Sequence, residues 1–223
     1  MIRHDCVQGS PAWHALRLGL PTASAFGRIV TPTGKPSASA EGYLHELLAE
    51  RLLGYPISAE STDFMERGKA LEEQAVAYFE METGLDTEAV GFCTTDDGRA
   101  GCSPDRLVGS DAGLEVKCPA PATHVGYMLD GGIADRYRPQ VQGSLWVTGL
   151  QRWHTLSFHP DLPPALAVME RDDDYITALS KAVTEFCSRL EEAHARLAAP
   201  TRPVEIAGAT SGHEGPSYPN HGG

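Results

Sequence analysis

The 223-residue sequence has no long hydrophobic run. No stretch approaches the roughly 18 consecutive apolar residues that a membrane-spanning helix requires. The first ten residues, MIRHDCVQGS, lack the apolar core of a secretory signal peptide. Hydrophobic residues make up 41% of the chain and charged residues 22%, which is ordinary for a soluble globular protein. These absences predict a cytoplasmic protein.

Cysteine is scarce, and its spacing forms no recognisable ligand pair. The five residues are Cys6, Cys93, Cys102, Cys118 and Cys187. An odd number without a C-x-x-C pair argues against a disulfide framework and against a zinc or iron–sulfur ligand set. Because several of them fall in strand-like segments, we expect small core residues in a reducing compartment.

An excess of positive charge is also missing. The chain has 18 Lys and Arg against 30 Asp and Glu, which gives a formal net charge of −12. Since nucleic-acid affinity comes largely from phosphate contacts with Lys and Arg, the total speaks against a nucleic-acid-binding protein. The total is only a sum, however. Acids gathered around metal ions, with basic residues placed locally, would give the same value.

Hydrophobic periodicity predicts a single α/β domain over residues 1–199. Helices are predicted after Ser10, from Thr22 or Ser24, over 41–53 and 65–83, in RPQVQGSLWVTG, and over 174–198. Strands are predicted in EAVGFCTT, RAGCSPDRLVG and GLEVKCP, as a three-strand meander, and in RWHTLSFH and ALAVMERD. The Gly-, Pro- and Ser-rich residues 200–223 are predicted to be a disordered tail.

The stretch GCSPDRLVGSDAGLEVKCP places an acid on one predicted strand and an acid and a base on the next. Glu115 and Lys117 are two residues apart, so they share one face of their strand. Burying them is costly unless something compensates the charges. Asp105 and Glu115, with the backbone carbonyl of Val116, offer the oxygen ligands that Mg²⁺ prefers, and Lys117 would stand beside them. The alternative is a plain cross-strand salt bridge.

Pro-Asp followed by Glu-x-Lys is the pattern of the PD-(D/E)xK nucleases. In that architecture a helix before the sheet commonly supplies a further acid, and Glu72 borders the apolar face of its predicted helix, whereas Glu73 is expected to be solvated. A helix N-terminal acid that complements the dipole is the alternative for Glu72. Downstream, Gln140 and Gln142 can each hold a water or a phosphate oxygen, or be ordinary exposed glutamines.

Five blocks together carry a family resemblance: QGSPAWHALRLGLPTAS, RGKALEEQA, CSPDRL, LEVKCP and QVQGSLWVTG. In this order and at these spacings the sequence resembles the lambda exonuclease family of phage-type recombination nucleases, which are YqaJ-like viral recombinases of the PD-(D/E)xK superfamily. The resemblance covers about residues 7–195. It implies an α/β restriction-endonuclease-like core in which a central mixed sheet is flanked by helices.

The resemblance also implies roles for individual residues. Catalytic roles fall on Asp105, Glu115, Lys117, Glu72 and Gln142. Two Mg²⁺ ions, or Mn²⁺, would be held by Asp105, Glu115 and the Val116 carbonyl, with Glu72 at the second metal or its water. A pocket for the 5′-terminal phosphate would consist of Arg17, Ser24 and Ser103. Without the resemblance, Arg17 would pass for a surface arginine and Ser24 for a helix cap. The chain departs at Arg67 from a member of the family that has an aromatic residue at this position.

The implied function is a metal-dependent exonuclease that digests one strand of double-stranded DNA from a 5′-phosphorylated end, in a bacterial or phage-infected cytosol. The resemblance implies a ring-shaped homotrimer around the DNA and a single-strand annealing protein as partner. Two alternatives stay open: an endonuclease on the same core, and a non-catalytic DNA-binding or assembly protein. Arg17 favours the exonuclease, because an endonuclease has no need of a terminal-phosphate pocket.

Overall fold

The computed structural model describes residues 1–57, 62–133 and 135–198, and for residues 62–70 only the backbone. The predicted disordered tail, residues 200–223, lies outside the described residues. Among the helices that are described, none is long and apolar enough to cross a membrane.

Helices and strands alternate in the order expected for an α/β protein. The helices are α1 (Pro11–Arg17), α2 (Ala40–Leu53), α3 (Thr62–Thr83), α4 (Pro121–Asp130), α5 (Arg138–Thr148) and α6 (Asp173–Ala198). The strands are β1 (Ile2–His4), β2 (Thr87–Glu88), β3 (Phe92–Thr94), β4 (Gly101–Cys102), β5 (Arg106–Val108), β6 (Ala112–Lys117), β7 (Arg152–His159) and β8 (Leu162–Glu170). Short 3-10 helices cover Ala23–Arg28 and Asp135–Tyr137.

The strands form two sheets. A small antiparallel sheet has the order β1-β3-β4, and a larger sheet has the order β2-β5-β6-β7-β8. In the larger sheet β6 and β7 are parallel, and the connection between them carries α4 and α5, while the other pairs are antiparallel. The predicted central mixed sheet with flanking helices is confirmed.

Local signals set several helix ends as predicted. Ser10 precedes α1, and its hydroxyl accepts a hydrogen bond from the backbone N–H of Trp13 at 3.2 Å, which satisfies a donor of the first turn. Gly54 and Gly84 end α2 and α3 with φ of +78° and +67°, a left-handed conformation that glycine adopts without steric cost.

The predicted three-strand meander is wrong in its middle strand. RAGCSPDRLVG is divided into β4 and β5, which belong to different sheets. Pro104 stands at the break and has no N–H to donate to a ladder. The side-chain amide of Gln8 fills the gap by donating to the carbonyls of Pro104, at 2.7 Å, and Val90, at 2.9 Å. The chain therefore changes sheets immediately before Asp105.

Two further elements differ from expectation. The helix predicted from Thr22 is a 3-10 helix, and Thr22 makes no side-chain cap to it. Helix α4 was not predicted, because the residues that it buries are His124 and Tyr127, which give no apolar stripe in the sequence.

The core lies on both sides of the larger sheet. One cluster packs α2, α6 and the first 3-10 helix together, a second packs α3 against the sheet, and a third surrounds Trp153 below α5. At Gly143 helix α5 approaches the first 3-10 helix so closely that an added Cβ would lie 2.3 Å from Cδ2 of the buried Phe26 ring. This contact explains a glycine in the interior of a helix.

We expect Gly143→Ala to lower the free energy of unfolding by about 1–3 kcal/mol, because the Phe26 ring would have to move within a packed core. Gly126→Ala in α4 is the matched control, since an added Cβ there meets nothing within 4 Å. The control should be neutral or stabilising by up to about 1 kcal/mol through helix propensity. Urea denaturation of both variants measures the difference. Equal effects would contradict the close approach at Gly143.

Candidate active site

The candidate site lies where β5 and β6 separate. Strand β5 pairs with β6 only from Val108–Ala112 to Arg106–Leu114, whereas β7 pairs with β6 on its other side as far as Lys117. Beyond Leu114 one edge of β6 therefore has no strand partner in β5. Asp105, the residue just before β5, enters this opening.

The carboxylate of Asp105 takes the place of a ladder partner. Its Oδ2 accepts a hydrogen bond from the backbone N–H of Val116 at 2.6 Å. In an extended strand the N–H and C=O of one residue point to the same edge. The carbonyl of Val116 therefore also faces the side on which Asp105 lies, where it was expected to serve as an oxygen ligand.

Glu115 and Lys117 share a face of β6, as the two-residue spacing predicted. The ammonium Nζ of Lys117 lies 2.6 Å from Oε1 of Glu115, which is buried. The side-chain amide of Gln140 donates to the same oxygen at 2.6 Å. The ring of Tyr137 covers Lys117, with 4.9 Å between Nζ and the ring centroid. The ammonium is thus held between a carboxylate and an aromatic face.

Gln142, the predicted catalytic glutamine, is placed elsewhere. Its amide donates to the carbonyl of Glu170 at 2.8 Å and accepts from the N–H of Asp172 at 2.9 Å, so it fastens α5 to the connection between β8 and α6. Gln140 and Gln142 flank the buried Val141 by about 100° on either side of the helix. The helical pattern cannot choose between them, and the structure brings Gln140 to Glu115.

Helix α3 brings Glu72 into the neighbourhood of Asp105. Arg106 lies between the acids of this helix: its Nη1 is 3.6 Å from Oε1 of Glu72, and its Nη2 donates to Glu73 at 2.7 Å. The Glu72 charge contributes to raising the pKa of Asp105, which shows that the two carboxylates are electrostatic neighbours. Glu73 is exposed, as expected.

Electrostatics in the cluster favour a cation. Although part of Asp105 stays accessible, desolvation of its carboxyl, followed by the charges of Glu115 and Glu72, raises its pKa well above the usual range. The Val116 N–H and Lys117 offset only part of this effect. Burial alone would lower the pKa of Lys117, but its contacts with Glu115 and Asp105 outweigh burial and raise it. Both shifts indicate more negative than positive charge in a partly dehydrated space.

The donor set fits a hard divalent ion. Two carboxylates and a backbone carbonyl converge, and Mg²⁺ is usually bound by one or two carboxylates while waters and substrate phosphates complete its shell. In the part of the chain that the structure describes, no three His, Cys, Asp or Glu side chains lie close enough together to hold an ion by themselves. Ions held by these residues would therefore need waters or substrate oxygens as further ligands.

A second polar cluster is centred on Ser103, which is two residues before Asp105 in the sequence. Arg17, at the end of α1, donates from Nη1 to the hydroxyl of Ser103 at 3.1 Å, and the indole N–H of Trp13 donates to the same hydroxyl at 2.9 Å. Ser24 is exposed, and its hydroxyl lies 3.3 Å from that of Thr22. Thr22 forms a bridge to Gly101, two residues before Ser103, and among the described residues the side-chain hydrogen bond of Ser24 is to Thr22.

Several residues of the two clusters were not singled out from the sequence. Trp13 stands four residues before Arg17, a spacing that brings side chains together on a helix and could have revealed it. Tyr137 and Gln8 act through contacts with distant segments and carry no comparable local signal. The side chain of Arg67 lies outside the described residues.

Comparisons with known proteins identify the family of the chain. A family model described as the YqaJ-like viral recombinase domain matches residues 12–151. The Escherichia coli K12 protein ExoD is 31% identical over 68 residues, which cover 29% of this chain and 78% of ExoD.

Solved structures match a larger share of the chain than the family model does. The crystal structure of the alkaline exonuclease LHK-Exo from Laribacter hongkongensis is 32% identical, covers 84% of this chain and 96% of its own, and superposes with a TM-score of 0.76. LHK-Exo in complex with dAMP gives 33% identity and a TM-score of 0.77. A phage-related exonuclease from Haemophilus somnus 129PT, at 16% identity, shares the fold with a TM-score of 0.62.

The matched region contains α1 with Arg17, the diverging strands β5 and β6, and α5 with Gln140. Its mixed α/β fold is that of alkaline exonucleases of the PD-(D/E)xK type. The chain belongs to the YqaJ-like viral recombinase family.

Proposed function

We propose that this protein is a metal-dependent 5′-to-3′ exonuclease. It digests one strand of double-stranded DNA from a 5′-phosphorylated end and leaves a 3′ single-stranded overhang for recombination by strand annealing. The observation that carries the proposal is the convergence of Asp105 with Glu115 and Lys117 where β5 leaves β6. The similarity to an alkaline exonuclease along nearly the same length supports it.

The metal ligands in this proposal are Asp105, Glu115 and the Val116 carbonyl, with Glu72 at a second metal or its water. Two Mg²⁺ ions fit these oxygens, and Mn²⁺ has the same ligand preference. When bound, the ions supply Lewis acidity: they lower the pKa of the attacking water and neutralise charge on the scissile phosphate.

The protein side chains orient the reacting groups. Lys117, held against Glu115 and Tyr137, presents an ammonium that donates to the attacking water or to a phosphate oxygen. Gln140 donates to Glu115 and so fixes the direction of that carboxylate. Because the site is partly dehydrated, these contacts are stronger than they would be in bulk water.

The proposed direction of digestion is supported by the Arg17–Ser103 cluster. A guanidinium and hydroxyls suit a terminal phosphate dianion, and Ser103 is two residues from the metal ligand Asp105. A phosphate held there leaves the first phosphodiester near the carboxylates. The similar exonuclease LHK-Exo binds dAMP, a 5′-mononucleotide of the kind that the proposed reaction releases.

The proposed assembly is a homotrimeric ring that encircles the duplex and works with a single-strand annealing protein. Encirclement accounts for the net charge of −12. A topologically enclosed DNA does not dissociate readily, so the protein needs fewer nonspecific phosphate contacts than an open DNA-binding surface.

We expect Lys117→Ala to lower the rate of nucleotide release from linear duplex DNA by about 10²–10³-fold, because a partly buried donor to the developing charge is lost. Binding to DNA ends should remain measurable. Lys181→Ala, which removes an exposed lysine from α6, is the matched control and should digest DNA like the unchanged protein. Unaltered digestion by Lys117→Ala would remove the assigned site.

The two glutamines of α5 should separate catalysis from stability. Gln140→Ala is expected to slow nucleotide release about tenfold with little change in thermal unfolding, since it frees the Glu115 carboxylate. Gln142→Ala should cost about 1–3 kcal/mol of unfolding free energy, because it removes a buried side chain and both of its hydrogen bonds to the backbone. Its rate per folded molecule should stay close to normal. If Gln142→Ala instead slowed nucleotide release and Gln140→Ala instead lowered stability, Gln142 would be the glutamine of the active site.

Three DNA substrates test the proposed reaction in the presence of Mg²⁺. A linear duplex with 5′-phosphates should be digested with release of 5′-mononucleotides, a 5′-hydroxyl duplex should be digested more slowly, and a covalently closed circle should stay intact. EDTA should stop digestion, and Mg²⁺ in excess should restore it. Cleavage of the closed circle would favour the endonuclease alternative, and release from 3′ ends would contradict the proposed direction.

A further inference from the structure

The hydroxyl of Ser103 is held by two donors at once. The indole N–H of Trp13 and the guanidinium Nη1 of Arg17 both donate to its oxygen, at 2.9 and 3.1 Å. A serine hydroxyl has two acceptor lone pairs and one donor hydrogen. Both lone pairs are therefore occupied, and the hydroxyl can make a further hydrogen bond only by donating.

The donor hydrogen of Ser103 has no acceptor among the described residues. Within the described residues, the hydrogen bonds of Ser103 are these two, and it is the acceptor in each. A hydroxyl fixed in this way favours a partner that accepts and never donates. The oxygens of a phosphate dianion are of this kind.

The ring of Trp13 also stacks on the positively charged guanidinium of Arg17. The guanidinium carbon of Arg17 lies 4.1 Å from the centroid of the Trp13 ring, and the Phe92 ring is on the same cation at 5.8 Å. Stacking on an indole favours a guanidinium and limits its rotation. Trp13 itself is fixed in the first turn of α1 through Ser10.

We propose that Trp13 is a positioning residue that sets the specificity of this pocket for a terminal phosphate. Its N–H makes Ser103 an obligate donor toward the ligand, and its ring keeps the Arg17 cation beside that hydroxyl. Without the indole N–H, the Ser103 hydroxyl can rotate so that it accepts as well as donates. The pocket then prefers an anionic acceptor less strongly to a ligand group that can donate. The inference rests on the proposed function, because it presumes that the pocket receives a 5′-terminal phosphate.

The test is the preference for 5′-phosphoryl over 5′-hydroxyl duplex ends, measured by binding in EDTA and by digestion in Mg²⁺. Trp13→Phe keeps an aromatic ring under Arg17 but removes the N–H. We expect the preference to fall roughly fivefold to tenfold, the effect of one lost hydrogen bond in a charged pocket. The change should lie in end affinity and KM, while kcat at saturating ends stays near that of the unchanged protein. Trp146→Phe makes the same chemical change on a partly buried indole outside the pocket, and its preference should not change.

A double-mutant cycle supplies a second criterion. Ser103→Ala should reduce the preference by a similar factor, and Trp13→Phe combined with Ser103→Ala should add little, because both act through one hydroxyl. If the two single effects multiplied in the double variant, the role of Trp13 would be overturned. A normal preference for 5′-phosphoryl ends in Trp13→Phe would overturn it as well. If the unchanged protein itself bound both ends equally, the phosphate pocket of the proposed function would fall instead.

Discussion

The hydrogen bond from the Val116 N–H to Asp105 is the contact on which the candidate site depends. It exists because the chain leaves one sheet at Pro104 and enters the other at Arg106, so that Asp105 stands at the first position that β5 does not pair. One more residue of β5 pairing would fill this edge with backbone and exclude the carboxylate. Because the strand breaks here, β6 keeps an open edge at which the Asp105 carboxylate and the Val116 carbonyl lie side by side.

The side chains around this opening carry more negative than positive charge. Among the described side chains of the cluster, Asp105, Glu115 and Glu72 face the cations of Lys117 and Arg106. A partly desolvated carboxyl with negative neighbours resists ionisation, and the pKa of Asp105 is raised accordingly. A divalent cation reverses that balance. The same feature accounts for an acidic protein whose proposed substrate is a polyanion, because the positive charge would arrive with the metal and act only at the site.

The two polar clusters share one segment of backbone. Gln8 fixes the carbonyl of Pro104, and the residues on either side of that proline point in different directions: Ser103 toward Trp13 and Arg17, and Asp105 toward Val116. The spacing between the Ser103 hydroxyl and the Asp105 carboxylate is therefore set by a few covalent bonds rather than by the packing of separate elements. In the proposed exonuclease, this rigid spacing positions the first phosphodiester for hydrolysis.

Local rules determined a good part of this protein from its sequence. Ser10, Gly54 and Gly84 fix helix ends through short-range backbone chemistry, and the period of two residues places Glu115 beside Lys117. The order of the motif blocks was enough to identify the family and the mixed sheet. Only the tertiary structure decided which glutamine of α5 reaches Glu115, where the strand before Asp105 breaks, and that Trp13 meets Ser103. These outcomes depend on how separate elements dock. A helix or strand pattern specifies which face is buried, but several neighbours satisfy that requirement equally, and the choice among them is made by packing between residues distant in the chain.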